Sequence, residues 1–166
     1  MDGHAPARDN PVLVLGLGNT LLADDGVGIH IIRSLAHDPM TPPCLLPVDG
    51  GTLGFRLLDQ ISQAQAVLII DAAQLGAPAG TVRLLDRHEL AVHVQRSGRL
   101  SAHEAGLADL LTLARLEGFA PRHLALLAIQ PQTIDWGETL SPEVARAATL
   151  ACQLAVHTAL GWVAAP

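Results

Sequence analysis

Two carboxylates and one imidazole stand where the chain is otherwise apolar or tightly turned. Asp25 lies in "GLGNTLLADDGVG" (Gly16 to Gly28), Asp71 closes the aliphatic run "AVLIIDAA" (Ala66 to Ala73), and His103 falls in the first turn of a helix opened by "SAHEAG". A carboxylate at the end of a buried strand is costly unless it accepts hydrogen bonds or meets a cation. The positive end of a helix disfavours imidazolium and leaves a neutral ring, the form that binds metal. An O/O/N set of this kind suits a borderline divalent ion such as Zn²⁺ or Ni²⁺ and leaves positions open for water or substrate. Taken singly, each residue also has a structural reading: a helix cap for the acids of the turn, a carboxylate bonded to loop amides for Asp71, a packing histidine for His103. Asp24 reads as the cap of the helix that follows it, and Asp25, which cannot share that cap, as the acid facing the crevice.

The same turn argues against nucleotide chemistry. Only the first two glycines of G-x-G-x-x-G are present, at Gly16 and Gly18, and Leu21 occupies the third position. Asp24 and Asp25 also put negative charge at the helix mouth where a pyrophosphate would bind. The chain has no Lys and no P-loop; its ten basic residues are scattered Arg and its net charge is −6, which argues against nucleic acid and anionic membrane as partners. Cys44 and Cys152 form no C-x-x-C pair, and no Ser sits in G-x-S-x-G, so a covalent nucleophile is not indicated. The remaining histidines, His30, His88, His93, His123 and His157, read as surface or packing residues, and His4 and His37 carry no signal. Residues 1–10 read as a polar, flexible leader without the apolar core of a signal peptide. No uninterrupted apolar run approaches ~18 residues, so the expected location is the cytoplasm.

The elements that must hold these residues follow from periodicity. Val12 to Leu15 is a buried-strand run ending in glycines, and Val27, Ile31, Ile32 and Leu35 then recur at helical spacing. "DPMTPP" stops that helix, "CLLPVDGG" reads as a second strand, and a helix is expected from Leu53 to Ile61. Ala66 to Ala73 is the third strand; Thr81 to Asp86 reads as an antiparallel edge strand, and Arg87 to Leu100 as a loop. Ser101 and Glu104 form a capping box for a helix ending at Gly118, His123 to Pro131 is the last strand, and Ser141 with Pro142 opens a closing helix. The expected fold is a single α/β domain over residues 1–166: three layers, α/β/α, around a twisted, mostly parallel five-stranded sheet with one antiparallel edge strand. In such a sheet ligands bind beyond the carboxyl ends of the strands, which gathers Asp24, Asp25, the "DGG" of Asp49 to Gly51, Asp71 and His103 along one edge. Gly50, Gly51 and Gly54 read as a loop lining that edge, and Asp49 is not read as catalytic.

Together "GLGNTLLADDGVG", "DGGTLG", "IIDA", "HEAGLADLL" and "IQPQTIDWGETLSPEV" resemble the hydrogenase maturation endopeptidases, the enzymes that complete the large subunit of [NiFe]-hydrogenases. The resemblance spans nearly the whole chain, and Asp135-Trp136-Gly137 looks like the branch serving uptake hydrogenases. It implies that Asp25, Asp71 and His103 are the family's catalytic and metal-recognising residues. Many members carry Glu where this chain has Asp25, and the shorter side chain draws a ligand closer to the backbone. It further implies removal of a C-terminal extension from the large-subunit precursor after nickel insertion, with nickel brought by that precursor and not permanently bound, by an enzyme that is a monomer. The ion is then either a Lewis acid at the scissile carbonyl or a recognition handle beside a carboxylate base. Two rivals remain: a non-enzymatic nickel-binding or nickel-delivery module using the same three side chains, and a nucleotide-binding domain built on Gly16 and Gly18.

Overall fold

The structure is a computed structural model, and it describes residues 11–51, 56–96, 111–112, 116–118 and 120–165. Five strands, β1 (Val12–Leu17), β2 (Leu45–Gly51), β3 (Ala66–Ala72), β4 (Val82–Asp86) and β5 (His123–Ile129), form one sheet in the order β2-β1-β3-β5-β4. β1 pairs in parallel with β2 and β3, β3 pairs in parallel with β5, and β4 runs antiparallel to β5 at the edge. The aliphatic runs of β1 and β3 are continuous because both strands are central and covered on both faces.

Alternate residues of each strand supply two separate cores. Val12, Val14, Leu68, Ile70, Leu127 and Ile129 face helix α1 (Val27–His37) and the closing helix α4 (Pro142–Ala164). Leu13, Leu15, Leu17, Val67, Ile69, Leu126 and Ala128 pack on the other face with Leu57 and Ile61 of α2 (Arg56–Gln63) and Leu90 of α3 (Arg87–Arg96). This is the expected three-layer arrangement. α4 is long and apolar enough, by length and composition, to cross a membrane. Its buried stripe of Val144, Ala147, Ala151, Ala155 and Ala159 nevertheless packs into the core formed with α1 and the sheet.

One sequence expectation fails here: part of the loop expected from Arg87 to Leu100 is helix α3. The signal was capping, not periodicity. Asp86 Oδ1 accepts the N–H groups of His88 (2.8 Å) and Glu89 (2.9 Å), and Glu89 Oε2 accepts the N–H of Asp86 at 3.0 Å. That reciprocal box starts a helix anchored on the sheet by the buried Leu90, so there is little apolar pattern to read. The helix expected from Leu53 is described from Arg56 to Gln63. The expected capping box of Ser101 and Glu104 lies outside the described residues, as do Gly54 and the leader at 1–10.

The start of α1 lies unusually close to the sheet. A Cβ on Gly28 would run into the carbonyl oxygens of Leu17 and Ile70, both backbone atoms that cannot turn aside. Gly28→Ala is therefore expected to lower stability by ~1–3 kcal/mol through overpacking, against the ~1 kcal/mol that alanine gains in an ordinary helix. Urea unfolding of the variant measures the sign directly.

Candidate active site

The winding of the sheet reverses between β1 and β3: α1 carries the chain from β1 to β2 on one side, and β3 pairs on the other. At such a point the connections leave in opposite directions and a crevice opens beyond the strand ends. Asp25 follows β1 in a short 3-10 turn, Ala23–Gly26, and Asp71 is the penultimate residue of β3. The turn packs directly against β3, and the two carboxylates are 5% and 4% exposed, so both are held out of bulk water at one edge.

Asp25 is oriented by the loop before it. Its Oδ2 accepts the N–H of Asn19 at 2.9 Å, while Asn19 Oδ1 accepts the N–H of Leu21 at 3.0 Å and shapes the turn. Gly18, at φ +130°, lets the chain pass where any Cβ would strike the carbonyl oxygen of Asp25. Ala23 has a left-handed φ of 46°, a costly conformation for alanine, held by its N–H to the Gly137 carbonyl (2.6 Å) and by the returning Gly137 N–H to Leu21 (3.0 Å).

Asp24 does not cap α1. The N-cap residue of that helix is Gly26, and no side chain bonds its first turn. The fully buried Asp24 carboxylate instead reaches across the sequence: Oδ2 accepts the N–H groups of Gln132 (2.8 Å) and Thr133 (3.1 Å) and the Ser141 hydroxyl (2.9 Å), and Oδ1 accepts the N–H of Ser141 at 2.7 Å. Burial pushes its carboxyl upward, but the bonds from Ser141, Thr133 and Gln132 together outweigh that and hold it below the ordinary aspartate value. Ser141 is the N-cap residue of α4 as expected, but its hydroxyl serves Asp24 and makes no cap bond. Asp24 thus locks the turn carrying Asp25 to the segment between β5 and α4.

A second tie comes from Gln130, which sequence reading passed over. Its buried side chain accepts the N–H of Leu75 at 2.7 Å and donates to Gln74 Oε1 at 2.9 Å, fixing the loop that leaves Asp71. A buried amide between an aliphatic strand and a proline was the available signal. The "DGG" motif ends β2 alongside the site, with Gly18 donating its N–H to Gly51 at 3.0 Å. Gly50 faces inward against Leu15 and Leu17, so the close approach it permits is to the protein's own core. Asp49 accepts the N–H of Gly51 and faces Arg33 at 3.5 Å on the surface, consistent with a turn-forming role.

His103 lies outside the described residues. Among those described, no three His, Cys, Asp or Glu side chains gather as a metal site. Asp25 and Asp71 place two buried carboxylates at one edge.

Residues 29–158 match the family model for hydrogenase maturation proteases. The chain is 32% identical over 150 residues to the hydrogenase expression/formation protein HupD of Thiocapsa roseopersicina, covering 90% of this chain and 67% of that protein. It is 34% identical over 135 residues to the hydrogenase 2 maturation protease of Escherichia coli, covering 80% of each. Among solved structures, the hydrogenase maturating endopeptidase HybD from E. coli superimposes with a TM-score of 0.82 at 30% identity, over 89% of this chain and 91% of that one.

Proposed function

Since the chain belongs to the hydrogenase maturation protease family, we propose that it is the endopeptidase that removes the C-terminal extension of a [NiFe]-hydrogenase large-subunit precursor once nickel has been inserted. The observation that carries this reading is the pair of buried carboxylates, Asp25 and Asp71, at the crevice where the sheet reverses its winding. Two such acids, with His103 as a nitrogen donor, form a set that grips a borderline divalent ion arriving with the precursor. Nickel is then part of the substrate and would act there either as a Lewis acid at the scissile carbonyl or as a recognition handle beside a carboxylate base. Asn19 holds Asp25 in place, and Gln130 and Asp24 brace the two flanking loops, so that the carboxylates meet the incoming ion already ordered. The enzyme works as a cytoplasmic monomer on a protein substrate.

The test uses a purified large-subunit precursor, prepared with and without nickel. The expected result is a mobility shift of the nickel-loaded form alone. Cleavage of both forms would remove nickel from the recognition step, and stable binding of loaded precursor without cleavage would mean a delivery module.

A further inference from the structure

The segment between β5 and α4 does more than brace the site. Trp136, at its tip, is 84% exposed, and Ile134 (42%) and Leu21 (48%) are exposed beside it. Single exposed apolar residues are ordinary. These three lie on two segments joined by backbone bonds: Leu22 bridges in parallel to Gly137, and the Gly137 N–H donates to the Leu21 carbonyl at 3.0 Å. Leu21 and Trp136 therefore sit on paired segments, Leu21 two residues before the turn that carries Asp25 and Trp136 next to Gly137, whose carbonyl accepts the N–H of Ala23 in that turn. The loop is also ordered in advance by Asp24, by the Asp24 N–H to the Thr133 carbonyl (3.2 Å), and by the Thr133 hydroxyl to Asp135 (3.1 Å). An indole left in water contributes nothing visible to the fold, but on a backbone already ordered it loses less entropy when a partner covers it than it would on a loop that must first be fixed.

We infer that Leu21, Ile134 and Trp136 form the docking surface for the precursor, receiving an apolar segment flanked by basic residues. This rests on the protease reading above, because the surface is continuous with the Asp25 turn. The basic flanks follow from charge: Asp135 and Glu138 are exposed on either side of Trp136, in a chain of net charge −6. Docking on this surface delivers the precursor's tail to the crevice through a loop that Asp24 ties to the catalytic turn.

The chain has two tryptophans, and the other, Trp162, stacks on His123 at 5.4 Å in the core-facing half of α4. In a Trp162→Phe background, Trp136 emission reports the surface alone. Adding the purified nickel-loaded precursor should shift that emission to the blue, and Trp136→Ala in the native background should raise KM roughly tenfold while Trp136→Phe largely restores it. Raised salt should weaken docking. An emission shift without cleavage would leave the docking surface standing and remove the protease reading. Cleavage without a shift, or an unchanged KM for Trp136→Ala, would overturn the docking surface and leave the protease reading intact.

Discussion

Asp25→Asn and Asp71→Asn proteins should fold, melt like the parent, and leave nickel-loaded precursor uncut, with processing rates down by at least about 10²–10³. The substitutions are nearly isosteric. Asn at position 25 keeps an oxygen to accept the Asn19 N–H, so the turn retains the bond that orients it. What each variant loses is the negative charge, and a neutral amide is a poor ligand for a borderline divalent ion. His103→Ala should fail in the same way. A processing gel against time, beside thermal melts of the same preparations, reads both properties. Normal processing by either folded Asn variant would show that its carboxylate is structural and that the site lies elsewhere along the edge.

Asp24 should behave in the opposite manner, as a stability residue of unusual weight. Asp24→Ala removes an acceptor shared by three backbone N–H groups and a hydroxyl, leaving buried donors without their partner, for an expected loss of about 3–4 kcal/mol. The pH dependence has a definite sign. The native carboxyl lies below the ordinary aspartate value, so on acidification the unfolded chain takes up the proton first. The stability due to Asp24 is complete above the unfolded value of about 3.9 and disappears as pH falls through the lowered native value. Urea midpoints of the parent and Asp24→Asn should differ by a constant amount near neutrality and converge in acid. A difference that grows on acidification would contradict the assigned bonds.

Much of the site was legible because its determinants are local. A Gly-rich turn after an aliphatic strand marks β1, an acid ending an aliphatic run marks β3, and right-handed crossovers put both strand ends on one edge. Asp25 and Asp71 were therefore identifiable as neighbours without coordinates. Helix α3 was equally local, written in Asp86 and Glu89, but its sparse apolar anchoring gave periodicity little to find. Gln130 showed only as an amide between an aliphatic strand and a proline; its role was illegible because its partners Gln74 and Leu75 belong to the loop after another strand.

By itself, then, the sequence determined the order and type of most elements, the mixed sheet, and the edge on which the acids collect, because strand and helix periods and chain handedness act over a few residues. The sequence also set Asp24 apart as structural and Asp25 as the crevice acid, but only the tertiary structure decided what Asp24 holds. Local chemistry offers Asp24 a helix cap, yet its carboxylate is taken by Ser141, 117 positions away, because the 131–141 segment folds back over the turn and presents three N–H groups that must be satisfied once water is excluded. That long-range demand makes Asp24 a brace between two distant segments and not a helix cap, a partnership that no spacing within "LADDGVG" could encode.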